Sequence, residues 1–141
     1  MKVSCLDSRA DPYTVLGVQR LECIVFRNVS GRIGPVLRDI AALDTFFCVN
    51  QIFILHHSNC GATHFTLDVQ MDDIRAKCPG VSEDELETVA RLSPVRPDDD
   101  TALRADLKTL SECSFLRKDL LANIFGLYLD VKTGLVREVR V

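Results

Sequence analysis

The fold class follows from the stretch QIFILHH, residues 51–57. Its apolar residues run without a break from Ile52 to Leu55, so no alternating polar side is left for solvent. A strand of this kind is typical of a parallel sheet that carries helices on both faces. The stretch therefore predicts an interior strand of an α/β protein.

The patterns on either side of this strand extend the prediction. Strand-like segments alternate with segments whose apolar residues recur at helical spacing, an order that favours a mostly parallel sheet. The turn Thr133-Gly134 separates the last two strand-like segments. We therefore expect an α/β fold with a mostly parallel central sheet of about four to five strands, flanking helices and a C-terminal hairpin strand. The predicted strands are 1–5, 20–28, 51–57 and the two arms of 122–141, and the predicted helices begin near Pro12, Gly34, Thr66, Ser82 and Asp99.

Size and charge limit the kinds of protein and partner. The sequence has 141 residues, and we expect a single domain over residues 1–141 with one sizeable core. The net charge is −3, so there is no basic surplus and we expect no nucleic-acid partner. No apolar run approaches the roughly 20 residues of a membrane-spanning helix, so we expect no membrane partner. Residues 93–100, SPVRPDDD, are predicted to form a mobile loop rather than a domain boundary.

Six cysteines are spread along the chain, and none forms a C-x-x-C pair. In a chain of this size, that distribution indicates reduced thiols in an intracellular protein. The sequence also opens in a strand-like segment without the pattern of a signal peptide, and we expect a cytoplasmic location. Cys23, Cys48 and Cys113 are predicted to be small buried side chains.

Two predicted strand ends carry side chains suited to chemistry. Cys5, Asp7 and Arg9 alternate behind the first strand, and they share one face if the chain stays extended. His57 and Cys60 follow the third strand, three residues apart. Sites in α/β sheets form at the carboxyl ends of the strands. We therefore expect the two groups to build one site.

Together, the two strand ends offer two thiols and one imidazole, from Cys5, Cys60 and His57. Zn²⁺ accepts these donors in a tetrahedron, and three protein ligands leave a fourth position for water or substrate, as in catalytic zinc sites. Asp7 adds a carboxylate that either binds the metal directly or pairs with Arg9 in a bidentate fork. The sequence predicts a zinc site and leaves these two roles of Asp7 open.

The chain has two further histidines, His56 and His64. His56 points to the opposite strand face from His57, so we expect it to be packed or hydrogen-bonded behind the site. His64 lies four residues after Cys60, and it is either a proton shuttle or a surface histidine with a satisfied hydrogen bond. Only His57 is expected to join Cys60 as a ligand.

The segment CLDSR at 5–9, followed by HSNC at 57–60, resembles the beta class of carbonic anhydrases, whose pattern is C-x-D-x-R and then H-x-x-C. The segments RNVSGR at 27–32 and GLYLDVKTGLVREV at 126–139 add to the likeness. The resemblance implies that Cys5, His57 and Cys60 bind zinc. It implies a carbonate dehydratase that hydrates carbon dioxide reversibly to bicarbonate, by attack of a zinc-bound hydroxide oriented by an Asp7–Arg9 pair. It also implies a homodimer or higher homo-oligomer with the cleft at or near the subunit interface.

The sequence departs from the family pattern without losing a predicted ligand. Ser30 stands where many members have glycine, and Asn59 stands where many have an acidic residue. Members usually carry a helical arm before the first strand, and we expect its absence from this sequence to alter the cleft and the dimer. Two alternatives stay open. One is a related zinc hydrolase of carbon disulfide or carbonyl sulfide, and the other is a non-catalytic zinc-binding homologue.

Overall fold

A computed structural model describes residues 1–140 and places five strands in one sheet. The strands are β1 (Lys2–Cys5), β2 (Val25–Asn28), β3 (Ile52–His57), β4 (Ile124–Leu129) and β5 (Val136–Val139). They lie in the order β2-β1-β3-β4-β5. All neighbours pair in parallel except β5, which runs antiparallel to β4. The predicted fold class and terminal hairpin are confirmed, although Val141, the last residue of the predicted range, lies outside the described residues.

Helices connect and cover these strands. The described chain contains α1 (Pro12–Val15), α2 (Leu37–Phe47), α3 (Leu67–Lys77), α4 (Glu83–Arg91), α5 (Thr101–Ser111) and α6 (Lys118–Leu121). Short 3-10 turns lie at Ser8–Ala10, Val29–Gly31, Gly34–Val36 and Gly61–Thr63. Within residues 1–140, every helix is too short or too polar to span a membrane.

The strand order puts β1 and β3 side by side within the sheet. From β1 the chain passes to β2 on one side, returns across β1 to β3, and continues to β4 on the other side. In open sheets of this kind, a crevice forms at the carboxyl ends of the two strands where the winding direction reverses. β1 ends at Cys5 and β3 ends at His57. The topology therefore brings the two predicted groups to the same crevice.

The main core lies between one face of the sheet and helices α2 and α5. Full burial of one large apolar side chain contributes about 1.5–3 kcal/mol. Gly126 of β4 lets α5 approach closely, because a Cβ at this position would lie 2.6 Å from the Leu107 Cδ1 atom. Buried side chains of this core include Val3, Ile40, Ile54, Leu103 and Leu110.

The opposite face of β3 carries a smaller apolar cluster near the crevice. Its members are Cys5, Ala10, Leu55, Cys60, Ala62 and Leu129. β3 is buried along nearly its whole length. The unbroken apolar run at residues 52–55 therefore reflects burial on both faces, as the sequence predicts.

Strand β2 is shorter than the sequence predicts, because it begins at Val25 rather than near Leu21. Leu21 has a φ of +76°, in the left-handed region, and its side chain is fully exposed. An extended strand requires a negative φ. The chain therefore turns at Leu21 before β2 starts.

Only one of the three cysteines predicted to be buried fits that prediction. Cys113 is buried, Cys23 is half-buried and Cys48 is exposed. Cys48 ends α2 with a φ of +49°, and this left-handed helix end turns its side chain toward solvent. The prediction is wrong for Cys48 because the last turn of α2 is exposed, as Phe46 and Phe47 also are.

Candidate metal centre

Three potential ligand atoms meet at the carboxyl ends of β1 and β3. The sulfurs of Cys5 and Cys60 and a ring nitrogen of His57 all lie within 4.8 Å of one another. The two sulfurs are 3.7 Å apart. A tetrahedral Zn²⁺ ion with Zn–S bonds of about 2.3 Å would place two sulfurs about 3.8 Å apart. The spacing of these buried side chains therefore fits zinc.

The His57 ring presents the lone pair of Nε2 to this cluster. Its Nδ1 lies 2.9 Å from the Ser58 carbonyl oxygen, and a carbonyl oxygen only accepts, so Nδ1 carries the proton. Nε2 is buried and has no hydrogen-bond partner among residues 1–140. Leaving a buried polar atom without a partner costs free energy. A metal ion at this position would satisfy Nε2.

The thiols of Cys5 and Cys60 are in hydrogen-bond contact at 3.7 Å, and either sulfur can be the donor. This contact raises the pKa of Cys5 and lowers the pKa of Cys60. Burial raises the pKa of Cys5 further, and the neighbouring His57 lowers that of Cys60. Two thiolates this close together are unfavourable unless a cation lies between them. The pair therefore suits a site where a cation replaces the thiol protons.

Asp7 and Arg9 form a bidentate ion pair beside the cluster. Arg9 Nη2 lies 2.6 Å from Asp7 Oδ2, and Arg9 Nε lies 3.0 Å from Oδ1. This guanidinium holds the pKa of Asp7 at about 2, so the carboxylate is ionised at neutral pH. The Asp7 backbone N–H donates to Cys5 Sγ at 3.5 Å. Asp7 is therefore held in the fork with Arg9, and its oxygens are not among the clustered ligand atoms.

The chain between Cys5 and Arg9 is not extended, which corrects the prediction of three side chains on one strand face. β1 ends at Cys5, and a 3-10 turn follows at Ser8–Ala10. The Asp7 side chain caps this turn, since its Oδ1 accepts the Arg9 backbone N–H at 2.9 Å. Asp7 and Arg9 therefore meet because the turn folds Arg9 back over Asp7.

Arg27 supports the same turn from the neighbouring strand β2. Its guanidinium donates to the carbonyl oxygens of Cys5, Leu6 and Asp7 at 3.0, 3.1 and 2.7 Å. It also pairs with Asp11 at 3.3 Å. These carbonyls lie at and beyond the end of β1. Arg27 thus fixes the backbone that carries Cys5 and Asp7.

His56 lies behind the cluster, as the sequence predicts. It is fully buried, and its Nε2 lies 3.2 Å from both the Gly31 carbonyl oxygen and Asp106 Oδ2. Asp106, buried in α5, also accepts from Arg32 Nε at 2.9 Å. Burial lowers the pKa of His56, although Asp106 opposes this shift. His56 therefore joins β3 to α5 and contributes no atom to the ligand cluster.

His64 is a surface histidine with a satisfied hydrogen bond, which is one of the two roles that the sequence predicts for it. It is exposed, and its Nε2 lies 2.8 Å from Asn59 Oδ1. An amide oxygen only accepts, so Nε2 is the donor in this bond. A proton-shuttle role for His64 stays a prediction.

Sequence reasoning missed two buried charges near the cluster, Asp106 and Arg96. Asp106 lies on the same face of α5 as the buried Leu103 and Leu110. A carboxylate within this apolar stripe is a sequence signal for a buried charge. Arg96 is 4% exposed although it lies in the loop that the sequence predicts to be mobile. Nothing in the local pattern around Arg96 indicates burial, because its partners are distant in the chain.

The chain is similar to known proteins over nearly its whole length. A family model described as carbonic anhydrase matches residues 1–136. Beta-carbonic anhydrase 1 of Mycobacterium bovis is 32% identical over 139 residues, 97% of this chain and 79% of that protein. A carbonic anhydrase structure from Streptococcus mutans has a TM-score of 0.82 at 27% identity, covering 99% of this chain and 80% of the other. Carbon disulfide hydrolase of Saccharolobus solfataricus is 27% identical over 67 residues, 47% of this chain and 33% of that protein.

The family match covers every residue of the Cys5–His57–Cys60 cluster and of the Asp7–Arg9 pair. The similarity to the mycobacterial protein extends over nearly the entire chain, and nearly the whole fold superposes on that of the Streptococcus mutans carbonic anhydrase. The chain therefore belongs to the carbonic anhydrase family, in its beta class.

Proposed function

We propose that this protein is a carbonate dehydratase that holds one Zn²⁺ ion through Cys5, His57 and Cys60 and hydrates carbon dioxide reversibly to bicarbonate. The observation that carries the proposal is the ligand spacing: two sulfurs 3.7 Å apart and an imidazole with a free lone pair, within 4.8 Å. Membership of the family supports the reaction.

The Asp7–Arg9 pair has a separate role in this proposal. When bound, zinc lowers the pKa of a water molecule from 15.7 to about 7, which supplies hydroxide near neutral pH. The ionised Asp7 carboxylate only accepts hydrogen bonds, so it selects and orients a group that carries a hydrogen. Arg9 occupies both Asp7 oxygens and donates to the Asn59 carbonyl oxygen at 2.9 Å. This clamp keeps Asp7 from turning onto the ligand cluster.

Apolar side chains pack behind the ligand cluster. Leu55, Ala62 and Leu129 are buried against the two cysteines. These side chains form no competing hydrogen bonds, and they keep water away from the interior side of the ligand atoms. We therefore assign exclusion of water from that side to the apolar cluster and orientation of the reacting water to Asp7.

Hydrolysis of carbon disulfide or carbonyl sulfide is the second candidate function. It is supported by the similarity to the Saccharolobus hydrolase, which extends over less than half of this chain. The same ligands would serve either reaction, and the two enzymes would differ in the pocket and its access route. The longer and stronger similarity to beta-carbonic anhydrase 1 favours carbon dioxide.

A non-catalytic zinc protein is the third reading. A structural zinc ion normally takes four protein ligands, and it needs no charged pair beside it. Here three donors cluster, and Asp7 is held in a fork by Arg9. The preserved fork favours an enzyme over a scaffold.

Assembly, location and domain extent remain part of the proposal. We propose a homodimer or higher homo-oligomer, formed by one domain over residues 1–141, in the cytoplasm. Apolar side chains are exposed in segments next to the cluster, as expected for a cleft near a subunit interface. They are Leu6, Val29, Phe65, Leu67 and Val69.

The test is a stopped-flow hydration assay on zinc-loaded protein, together with elemental analysis. We expect one zinc per chain and rapid hydration, and we expect Cys60→Ser and His57→Ala to lose both. Turnover of carbon disulfide with little hydration would establish the second candidate. Zinc without turnover of either substrate would establish the non-catalytic reading, and a wild type without zinc would overturn the proposal.

A further inference from the structure

We propose that the loop at residues 96–99 positions the metal-binding segment 57–60, and that Arg96 is its principal positioning residue. The inference rests on the proposed zinc site and adds to it a support that comes from a distant part of the chain. Two contacts carry it, one from Arg96 to His57 and one from Asp98 to Asn59.

Arg96 holds the end of β3 from outside the sheet. Its Nη2 donates to the His57 carbonyl oxygen at 2.9 Å, and its Nε donates to Ser30 Oγ at 2.6 Å. Its Nη1 donates to the Pro97 carbonyl oxygen at 3.2 Å. One planar guanidinium thus joins the end of β3, the 3-10 turn at Val29–Gly31 and its own loop.

Burial of this guanidinium indicates a positioning role. Arg96 is 4% exposed, and its hydroxyl and carbonyl acceptors are all uncharged. Removing a full charge from water is costly, and uncharged acceptors offset that cost only when several are well placed. The rigid fork of arginine serves several acceptors at fixed angles, which a lysine ammonium cannot do.

Ser30 has an unusual backbone conformation, and its side chain contacts Arg96. Its φ is +68°, in the left-handed region that favours glycine, and its side chain is fully buried. A non-glycine residue in this region is strained. The hydroxyl that glycine would lack accepts the Nε–H of Arg96. The serine is therefore explained by its contact with Arg96.

Asp98 gives the loop its second contact. Its Oδ1 accepts the Asn59 backbone N–H at 2.7 Å. Asn59 has a φ of +50°, so the chain turns sharply between the two predicted ligands, His57 and Cys60. On the other side of this turn, Arg9 donates a hydrogen bond to the Asn59 carbonyl oxygen. The loop and Arg9 together fix the turn that aims Cys60 at the cluster.

The same bonds set the direction of the His57 ring. The ring is oriented by its Nδ1 bond to the Ser58 carbonyl oxygen, and the peptide before that carbonyl carries the His57 oxygen that Arg96 holds. Ser58 N donates to the Leu129 carbonyl oxygen at 2.9 Å. Without Arg96, the 57–58 peptide would be held only through the Ser58 N–H, and the position of Nε2 relative to the two sulfurs would be less well fixed.

The test compares zinc binding by Arg96→Lys and by a matched control, Arg91→Lys, which makes the same change on α4. We expect Arg96→Lys to raise the zinc dissociation constant 10- to 100-fold, measured by chelator competition, and to speed zinc release. We expect the absorption bands of the Co²⁺-substituted protein to shift, because they report ligand geometry. Arg91→Lys should match the wild type in all three measurements.

A purely structural role for Arg96 would lower the melting temperature of the metal-free protein and leave the zinc dissociation constant and the cobalt bands unchanged. That result would overturn the inference. If the wild type binds no zinc through Cys5, His57 and Cys60, the proposed function fails, and this is seen before any Arg96 variant is made.

Two further variants keep the test decisive if Arg96→Lys does not fold. Asp98→Ala should raise the zinc dissociation constant several-fold, while Asp72→Ala, an exposed control, should not. Ser30→Gly should also weaken zinc binding, because the hydroxyl that accepts the Nε–H of Arg96 is lost. Wild-type zinc affinity in Asp98→Ala and Ser30→Gly would contradict the inference.

Discussion

Two aspartate–arginine forks of nearly the same geometry lie in different regions of this molecule. In the Asp7–Arg9 pair, Nη2 and Nε of the guanidinium meet the two carboxylate oxygens at 2.6 and 3.0 Å. In the Asp44–Arg117 pair, the corresponding distances are both 2.9 Å. Both arginines hold the pKa of their aspartate below its ordinary value. The two pairs differ in how far apart their members lie in the chain.

Asp7 and Arg9 are two residues apart, whereas Asp44 and Arg117 are 73 residues apart. The distant pair joins the end of α2 to the start of α6. Asp44 also accepts the Val49 backbone N–H, and Arg117 also donates to the Val49 carbonyl oxygen. It therefore stabilises the tertiary structure. A pair within one turn closes no long loop and contributes little to the fold. Its charge and orientation are then free to serve the site.

The largest expected effect comes from Asp7→Asn. We expect hydration by the zinc-loaded protein to fall roughly 10- to 1000-fold, because a neutral amide replaces the carboxylate to which we assign the orienting hydrogen bond. Asparagine can still cap the 3-10 turn, so zinc content and melting temperature should stay at wild-type values. Undiminished hydration by this variant, measured by stopped flow, would refute the role of Asp7.

Asp44→Asn should show the reverse pattern. Loss of the charged fork should lower the melting temperature by about 3–8 °C, measured by calorimetry on zinc-loaded protein. Hydration per folded, zinc-loaded chain should be unchanged, since Asp44 belongs to the opposite end of the sheet from the cluster. A large loss of activity without loss of stability would mean that the two forks are not separated in function.

A pH series sharpens the comparison. The pKa of Asp44 is lower in the folded protein than its ordinary value of 3.8, through Arg117, so its stabilising contribution is full above that value. It is lost as the pH falls through the lowered folded value. The difference in melting temperature between wild type and Asp44→Asn should therefore be constant near neutral pH and shrink below about pH 4. A difference that grows on acidification would contradict this assignment.

The smallest effect is expected for an exposed pair on α3, Asp73–Lys77, which are four residues apart with a contact of 2.8 Å. Exposed pairs of this kind contribute little, because solvent screens them and both side chains lose freedom. Asp73→Asn should change the melting temperature by less than about 2 °C and leave hydration unchanged. A shift as large as that of Asp44→Asn would show that contact distance, rather than sequence separation and burial, decides stability.

The sequence predicted those parts of the site that local pattern determines. The apolar run at 52–55 predicts an interior strand, and the spacing of His57 and Cys60 predicts two potential metal ligands at the end of that strand. The conformation of residues 5–9 was mispredicted because Asp7 competes with strand extension. Aspartate readily accepts the backbone N–H two residues ahead, which closes a turn.

The support behind the site could not be read in the same way. Arg96 contacts residues 39 and 66 positions away, and Asp106 contacts Arg32 across 74 positions. Such pairings depend on how the loops return over the sheet, and a single sequence does not specify this. Of these residues, only Asp106 can be recognised from the sequence, because it is a charged residue within the apolar stripe of α5.

The strand order has a consequence for the rate of folding. The β1–β3 ladder pairs Lys2 with Phe53, and the β3–β4 ladder pairs Ile52 with Ile124, so the central ladders close loops of about 50 and 70 residues. Chains dominated by such distant contacts fold more slowly than helical bundles, because closure entropy is lost before the contacts form. Cys5 and His57 lie at the ends of these two strands, so the proposed metal site is complete only when β1 and β3 are paired.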